Sequence, residues 1–322
     1  MKARSLALLE ASGVTARFLA NGRRVTRLNL RRPGRVLATL RLEEVDYRYP
    51  FMLVQSQEDG ECILEEALAE RGVTVERGIT AKSVETSAGE AVIEAEGPKG
   101  MERIAARVVL ASDGAGSTIR KALGIGFPGT AYDRPWRLID AELDLPPEAG
   151  IDPDAVQIVL VPEGGLFLVR HEGSLWRLLG NIPDLKAPLP PGTKVGEVAW
   201  RSEFYIANRV AERFTQGAVH IAGDAAHVHA GIGARGMNLG IEDAYVFAIL
   251  YDRGQLERYD ALRRPLVNRV VGQITRAMAM PRPETLPGRA VRAAPWLVPL
   301  AFPLLRRTVQ RWVIGLDHEV GV

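Results

Sequence analysis

Cysteine is all but absent: the 322 residues contain one, Cys62. A single thiol excludes a disulfide framework within the chain and leaves a cysteine-based zinc site without ligands. It fits a reducing, cytoplasmic setting, and its place at the start of a helical pattern predicts a small buried hydrophobe. Aromatic residues are scarce at 6%, and neither sign of charge prevails, with 41 Lys and Arg against 39 Asp and Glu. There is no general basic field for nucleic acid. No apolar run reaches the ~20 residues of a membrane-spanning helix. The nearest, Trp296 to Leu305, carries Pro299 and Pro303 and is followed by Arg306 and Arg307. It reads as core packing or a docking tail, with peripheral membrane contact as the minority alternative. No secretory signal and no internal repeat are evident.

What is present is an ordinary globular balance, 47% hydrophobic and 25% charged, in a chain long enough for two modest domains. An amphipathic helix opens it, with Leu6, Leu8 and Leu9 inward and Gly13 as its stop. Alternation over 25–30 and 36–42 around the turn Arg31-Arg-Pro-Gly34 predicts a β-hairpin. A helix over 59–71 follows, with Asp59 as N-cap, then short strands at 73–76, 79–84, 91–95 and 107–111. From 131 to 204 helical periodicity disappears. Strand-like runs at 137–143, 156–161, 166–170 and 175–180, separated by Gly, Pro and Asp turns, predict an antiparallel sheet. Ala218 to Ala222 is a buried strand entering a Gly-rich loop and a helix from about Asn238. Beyond Leu256 the pattern is helical, with prolines at 265, 281, 283, 287, 295, 299 and 303 marking breaks.

Two stretches carry chemistry. In Val109-Leu-Ala-Ser-Asp113-Gly114-Ala-Gly116-Ser117-Thr-Ile-Arg120, an apolar strand ends at an Asp-Gly turn and a helix begins near Ser117. Gly114 and Gly116 permit close backbone approach, and the helix start offers N–H groups to an anion such as a pyrophosphate. Asp113 can accept from ribose hydroxyls, and Arg120 can reach a phosphate or brace Asp113. An ordinary strand–turn–helix capped by Ser117 explains the same residues. The second stretch runs from His220 to Ala244 and contains Gly223-Asp224-Ala225-Ala226-His227, then Gly231, Gly233, Gly236-Met237-Asn238, Gly240 and Asp243. A carboxylate at a strand end suits a polyol, and the glycines keep the backbone thin against a flat ligand. The following helix points its N-terminus at whatever lies in the loop, where it would stabilise developing negative charge.

The second stretch resembles the second FAD-binding motif of class A, para-hydroxybenzoate-hydroxylase-like flavoprotein monooxygenases, and the first resembles that family's middle motif for FAD and NAD(P)H. Gln57 and Glu61, and Tyr259 with Arg263-Arg264-Pro265, look like further family elements. The resemblance implies an α/β (α+β) fold: a Rossmann-like FAD-binding domain over 1–24, 57–130 and 205–270, a β-rich substrate domain over 25–56 and 131–204, and a helical segment over 271–322. It implies that Asp224 binds the FAD ribityl chain, that Gly223 and the backbone from Gly233 through Gly236, Met237 and Asn238 surround the flavin pyrimidine, that Asp113, Gly114 and Arg120 lie by the ribose and pyrophosphate or NAD(P)H, and that Gln57 contacts FAD. The implied reaction uses NAD(P)H and O2 to hydroxylate an aromatic or polyketide-like small molecule through a flavin C4a-hydroperoxide.

The sequence departs from this pattern in three ways. The family opens on a strand and a Gly-x-Gly-x-x-Gly turn; this chain begins on the helix that usually comes later, so one βαβ unit of on the order of 30 residues is expected to be missing, by a truncated reading frame. Ala230 and Gly231 stand where the family has proline beside the flavin, and no large domain follows residue 270. A reductase on the same fold, or a fragment unable to retain FAD, therefore remain alternatives. His227 and His229, two apart, lack a third metal ligand at useful spacing and are read as flavin-loop residues, with His229 a candidate substrate contact. Trp136, Trp176, Trp200, Trp296 and Trp312 read as core or interface residues, and Tyr205 and Arg209 either as residues near a domain junction or as a surface strand and helix start.

Overall fold

The computed structural model describes residues 1–87, 89–231, 233–277, 289 and 297–322. In chain order the elements are α1 (Ala3–Leu8), α2 (Thr15–Asn21), β1 (Arg23–Val25), β2 (Arg27–Arg32), β3 (Arg35–Arg41), β4 (Met52–Val54), α3 (Gln57–Ala69), β5 (Thr80–Ser87), β6 (Glu90–Gly97), β7 (Gly100–Ala106), β8 (Val109–Ala111) and α4 (Thr118–Ala122). Then follow β9 (Gly129–Asp144), β10 (Ala155–Val161), β11 (Gly164–Arg170), β12 (Leu175–Gly180), β13 (Lys194–Val210), β14 (Thr215–Gln216), β15 (Val219–Ile221), β16 (His227–Val228), α5 (Gly236–Asp252), α6 (Tyr259–Ala277) and α7 (Leu297–Val313). They form two compact units. The first comprises Met1–Ile63, Tyr132–Ile206 and Arg276–Asp317; the second comprises Leu64–Ala131, Ala207–Thr275 and His318–Val322.

The first unit is built on a sheet of order β13-β9-β12-β11-β10-β2-β3. The expected hairpin, β2 with β3, enters this sheet by pairing parallel to β10. Strand alternation gives the sheet two distinct faces. One carries the buried core of Ile139, Val159, Leu166, Leu168, Trp176 and Leu178. On the other, register places Leu30, Ile158, Phe167, Leu179 and Leu138 in one row across five strands, all half-buried.

The second unit has two small sheets, β5-β6-β7 and β14-β15-β8. β8 and β15 are parallel neighbours, with Val109 opposite Val219 and Ala111 opposite Ile221. Phe214, Val219, Ile221, Val246, Leu250, Tyr259 and Val267 fill its core. At Gly129 the strands β9 and β13 approach so closely that an added Cβ would lie 2.0 Å from the Asn208 carbonyl oxygen, so only glycine fits.

Several sequence expectations are corrected. Residues 73–76 form no strand, and Val73 and Val75 are exposed, because among the described residues no neighbouring strand pairs with them. The cap of α3 is Ser56, whose Oγ accepts the Asp59 N–H at 3.0 Å, so the helix starts earlier than expected. Cys62 is exposed: Ile63 and Ala67 turn inward, which leaves position 62 on the solvent side. Trp200 is exposed on β13, whereas Trp136 and Trp176 are buried; Trp296 lies outside the described residues. Tyr205 and Arg209 both lie on β13, with no helix start there. Pro265 sits inside α6 without ending it, held by the buried Arg263, Val267, Val270 and Ile274. The expected breaks at 281, 283, 287 and 295 lie outside the described residues, and those at 299 and 303 are absent because α7 runs through both positions. No described helix is long and apolar enough to cross a membrane.

Candidate cofactor site

The geometry begins at the ends of two strands. β8 leads into Asp113-Gly114 and its parallel neighbour β15 leads into Gly223-Asp224, so two turns far apart in sequence lie side by side at the carboxyl ends of adjacent strands. In parallel α/β sheets such ends are where ligands bind.

The first turn is ordered by its own side chains. Ser117 Oγ donates to Asp113 Oδ1 at 2.5 Å, the Ile119 N–H donates to Asp113 Oδ2 at 3.1 Å, and Ser117 Oγ accepts the Arg120 N–H at 2.9 Å. Ser117 is thus the N-cap of α4, as expected of an ordinary strand–turn–helix. Asp113 remains exposed. A Cβ added at Gly114 or Gly116 would meet nothing within 4 Å, so the space over this turn is open. Gly114 has φ +81°, which favours glycine there on conformational grounds.

Arg120 points inward. It is buried, its Nη1 donates to the Ala225 carbonyl at 2.8 Å and its Nη2 to the Ala115 carbonyl at 2.9 Å. Its guanidinium lies 3.9 Å from the Phe127 ring centroid. One planar fork therefore ties the Asp113 turn to the Asp224 turn. Burial depresses its pKa, partly offset by Asp113.

The second turn is anchored from below. The Gly223 N–H donates to Asp243 Oδ2 at 3.0 Å, and His227 Nε2–H donates to the same oxygen at 2.7 Å. Arg263 Nε donates to Asp243 Oδ1 at 2.7 Å. Burial pushes the Asp243 carboxyl up, but its electrostatic interactions with His227 and Arg263 and the hydrogen bonds from His227 and Gly223 outweigh it, holding the carboxyl below its ordinary range. Asp224 itself stays exposed. Gly223 approaches α5 so closely that a Cβ on Gly240 would lie 3.4 Å from its Cα. The network continues through Glu242, which accepts from His318 Nε2 at 2.9 Å, while Arg235 Nη2 donates to His318 Nδ1 at 3.3 Å.

The Gly-rich loop ends at α5. No side chain caps this helix and no acidic residue occupies its first turn. Gly233 has φ +79°, and Ala234, at φ +48°, is the only non-glycine residue with positive φ among those described. Such strain, about 1–2 kcal/mol for a residue with a Cβ, is held by the surrounding structure. Asn238 is buried and donates to the Ala234 carbonyl at 2.7 Å, bracing the loop, whereas Met237 beside it is 53% exposed. His229 Nδ1 lies 2.9 Å from the Ala230 carbonyl, and its ring stands against Gly236.

Asp113, Gly114, Arg120, Gly223, Asp224, Gly233, Gly236, Met237 and Asn238 thus all belong to the second unit. Gln57 does not: it is exposed in the first unit, at the start of α3, and donates to Glu61 at 3.0 Å. The sequence gives no hint of His318, which reaches Glu242 from the far end of the chain. Asp243 and Arg263 fall within quoted motifs, but only the fold pairs them.

The sequence model of the FAD binding domain family matches residues 1–170 and 184–273. The chain belongs to this family of FAD-binding proteins. An uncharacterized aromatic compound monooxygenase of Bacillus subtilis, YhjG, is 32% identical over 261 residues, which cover 75% of this chain and 50% of the relative. A 12-dehydrotetracycline 5-monooxygenase/anhydrotetracycline 6-monooxygenase of Streptomyces rimosus is 28% identical, over 86% of this chain and 60% of its own. The chain therefore spans about half to three fifths of the length of these relatives. The fold is shared with p-nitrophenol 4-monooxygenase from Pseudomonas putida, at TM-score 0.85 and 21% identity over 99% of this chain and 88% of that one.

Proposed function

We propose that this chain is the cofactor-binding and substrate-facing core of an FAD-dependent monooxygenase that uses NAD(P)H and O2 to hydroxylate an aromatic or polyketide-like small molecule. The observation that carries this reading is the pairing of β8 with β15, which sets the exposed Asp113 and Asp224 at neighbouring strand ends, bridged by Arg120. The donor set fits FAD. Two exposed carboxylates suit ribose and ribityl hydroxyls, the open space over Gly114 and Gly116 suits a pyrophosphate, and the uncapped start of α5 suits an electron-rich carbonyl.

Bound flavin would supply the redox chemistry, taking electrons from NAD(P)H and activating O2. The chain's own part is binding and orientation. Asp224 would hold the ribityl chain and Asp113 the ribose. Arg120, spent on two carbonyls, would hold both turns in register without touching a phosphate. The backbone from Gly233 to Asn238 would border the flavin pyrimidine, with Asn238 and Asp243 fixing its position. Gln57 remains an assignment made on the resemblance alone. For the substrate, the half-buried row Leu30, Ile158, Phe167, Leu179 and Leu138 offers a flat apolar face that would exclude water from an aromatic body.

The test is reconstitution with excess FAD, desalting and a visible absorption spectrum, followed by NAD(P)H oxidation with phenols and mass analysis of the products. A retained flavin spectrum, lost in Asp224→Ala, with phenol-dependent oxidation and a product heavier by one oxygen, is expected. A folded but colourless chain would reject cofactor retention by this polypeptide. Retained flavin with oxidation and no oxygenated product would favour a reductase.

A further inference from the structure

The core-side face of the large sheet holds a cavity of about 350 Å³ that the proposed function does not use. This size falls at the low end of the ~300–1,000 Å³ range of small-molecule pockets. Its apolar floor is Val159, Leu166 and Leu168, and the turn around Ala149 and the prolines from Pro188 to Pro191 form its walls. Arg31 lines it from β2. Register sets Arg31 opposite Val159, and Val159 opposite Leu166. The neighbouring row of Leu30, Ile158 and Phe167 points to the other face. The cavity and the proposed substrate face therefore lie on opposite sides of one sheet.

Arg31 is 4% exposed. Its Nη2 donates to the Ala149 carbonyl at 3.2 Å and its Nη1 reaches Gln157 Oε1 only at 3.5 Å, at the limit of a hydrogen bond. Gln157 is itself committed, its Nε2 donating to the Asp152 carbonyl at 2.9 Å. Among the described residues no carboxylate pairs with Arg31. Glu148 also lines the cavity but is exposed and forms no ion pair with it. Burial lowers the pKa of Arg31, with no opposing charge to raise it. A guanidinium carries five N–H donors, and two hydrogen bonds to the protein leave the others for water or an anion in the cavity.

We propose that this cavity binds a small carboxylate with an apolar body, its carboxylate on Arg31 and its hydrocarbon on Val159, Leu166 and Leu168. None of its lining residues is assigned to the cofactor or to the substrate face, so its occupancy neither needs nor reports turnover.

The probe is hexanoate, with hexanamide as its neutral match, titrated calorimetrically into the full chain. Hexanoate is expected to bind at least tenfold more tightly than hexanamide. Arg31→Gln should remove that preference. Ala149→Phe, which fills the cavity and leaves the charge, should lower hexanoate affinity at least tenfold. Glu148→Gln should raise it severalfold by removing a repelling charge at the wall. Crystals soaked with 6-bromohexanoate give a readout that needs no variant: the bromine signal is expected over Val159 and Leu168. Equal binding of acid and amide, unchanged binding in Ala149→Phe, or bromine elsewhere on the chain would overturn the assignment, and water alone in the soaked cavity would do the same. None of these measurements involves flavin, so their failure is distinct from failure of the monooxygenase reading.

Discussion

Two buried side chains do the organising that the exposed carboxylates need. Asp243 receives the Gly223 N–H, His227 and Arg263, all at 3.0 Å or less. Replacing it by Asn removes the charge that answers a buried guanidinium. Breaking a buried pair in this way costs about 3–5 kcal/mol, and urea unfolding of Asp243→Asn at pH 7 checks it. A loss under 1 kcal/mol would mean the network is not closed in solution. Arg120 makes a sharper case, because geometry and charge separate. Lys keeps the charge but has no planar fork to meet Ala115 and Ala225 together. Arg120→Lys and Arg120→Met are therefore both expected to weaken FAD retention at least tenfold, measured by flavin fluorescence on titration. Rescue by Lys alone would show that the charge, and not the bridge between turns, is what matters.

At the level of elements, what the sequence made legible follows the strength of its periodic signal. The runs at 156–161, 166–170 and 175–180 are strands because alternation survives wherever one face is buried and the other half-buried. The edge strand β7 was hidden because its residues are nearly all exposed and carry no apolar rhythm. The strand β13 was hidden for the same reason over much of its length. The turns at Asp113 and Asp224 were legible from glycine and carboxylate spacing, but their adjacency was not, since it depends on β8 pairing with β15. Gly231, Gly233 and Gly236 run into the first residue of α5, and their spacing was the signal that made this ligand-facing helix start legible. β15 also carries a titratable reporter. His220 is buried, edge-on to Phe247 and Tyr259, and burial pushes its pKa from 6.5 down to about 4. The unfolded chain takes up this proton first, so stability is full above pH 6.5 and falls as pH drops towards 4, by about 3 kcal/mol for this group. His220→Gln should flatten the stability profile across that window in urea titrations at stepped pH. An unchanged slope would assign the acid sensitivity to other groups.

For the whole molecule, the question is which part of the chain a bound cofactor would stabilise, and tryptophan fluorescence is the wrong probe for it. Trp136, Trp176, Trp200 and Trp312 all lie in the first unit, whereas Asp113, Asp224 and the start of α5 lie in the second. Amide hydrogen exchange reads each segment separately. A ligand that binds only the folded state adds about 2.7 kcal/mol at a hundredfold excess over Kd, equivalent to ~100-fold slower exchange where opening breaks its site. With FAD at that excess, protection is expected to rise over 109–120 and 219–240. The β5-β6-β7 sheet belongs to the same unit but carries no proposed contact, so its protection should change less wherever it opens independently of those segments. If protection instead rose uniformly, FAD would be acting through global unfolding of the unit and the experiment would locate nothing finer. If it failed to rise over 219–240 while flavin stayed bound after desalting, the assignment of Asp224 and the α5 loop to the cofactor would be wrong, whatever the family.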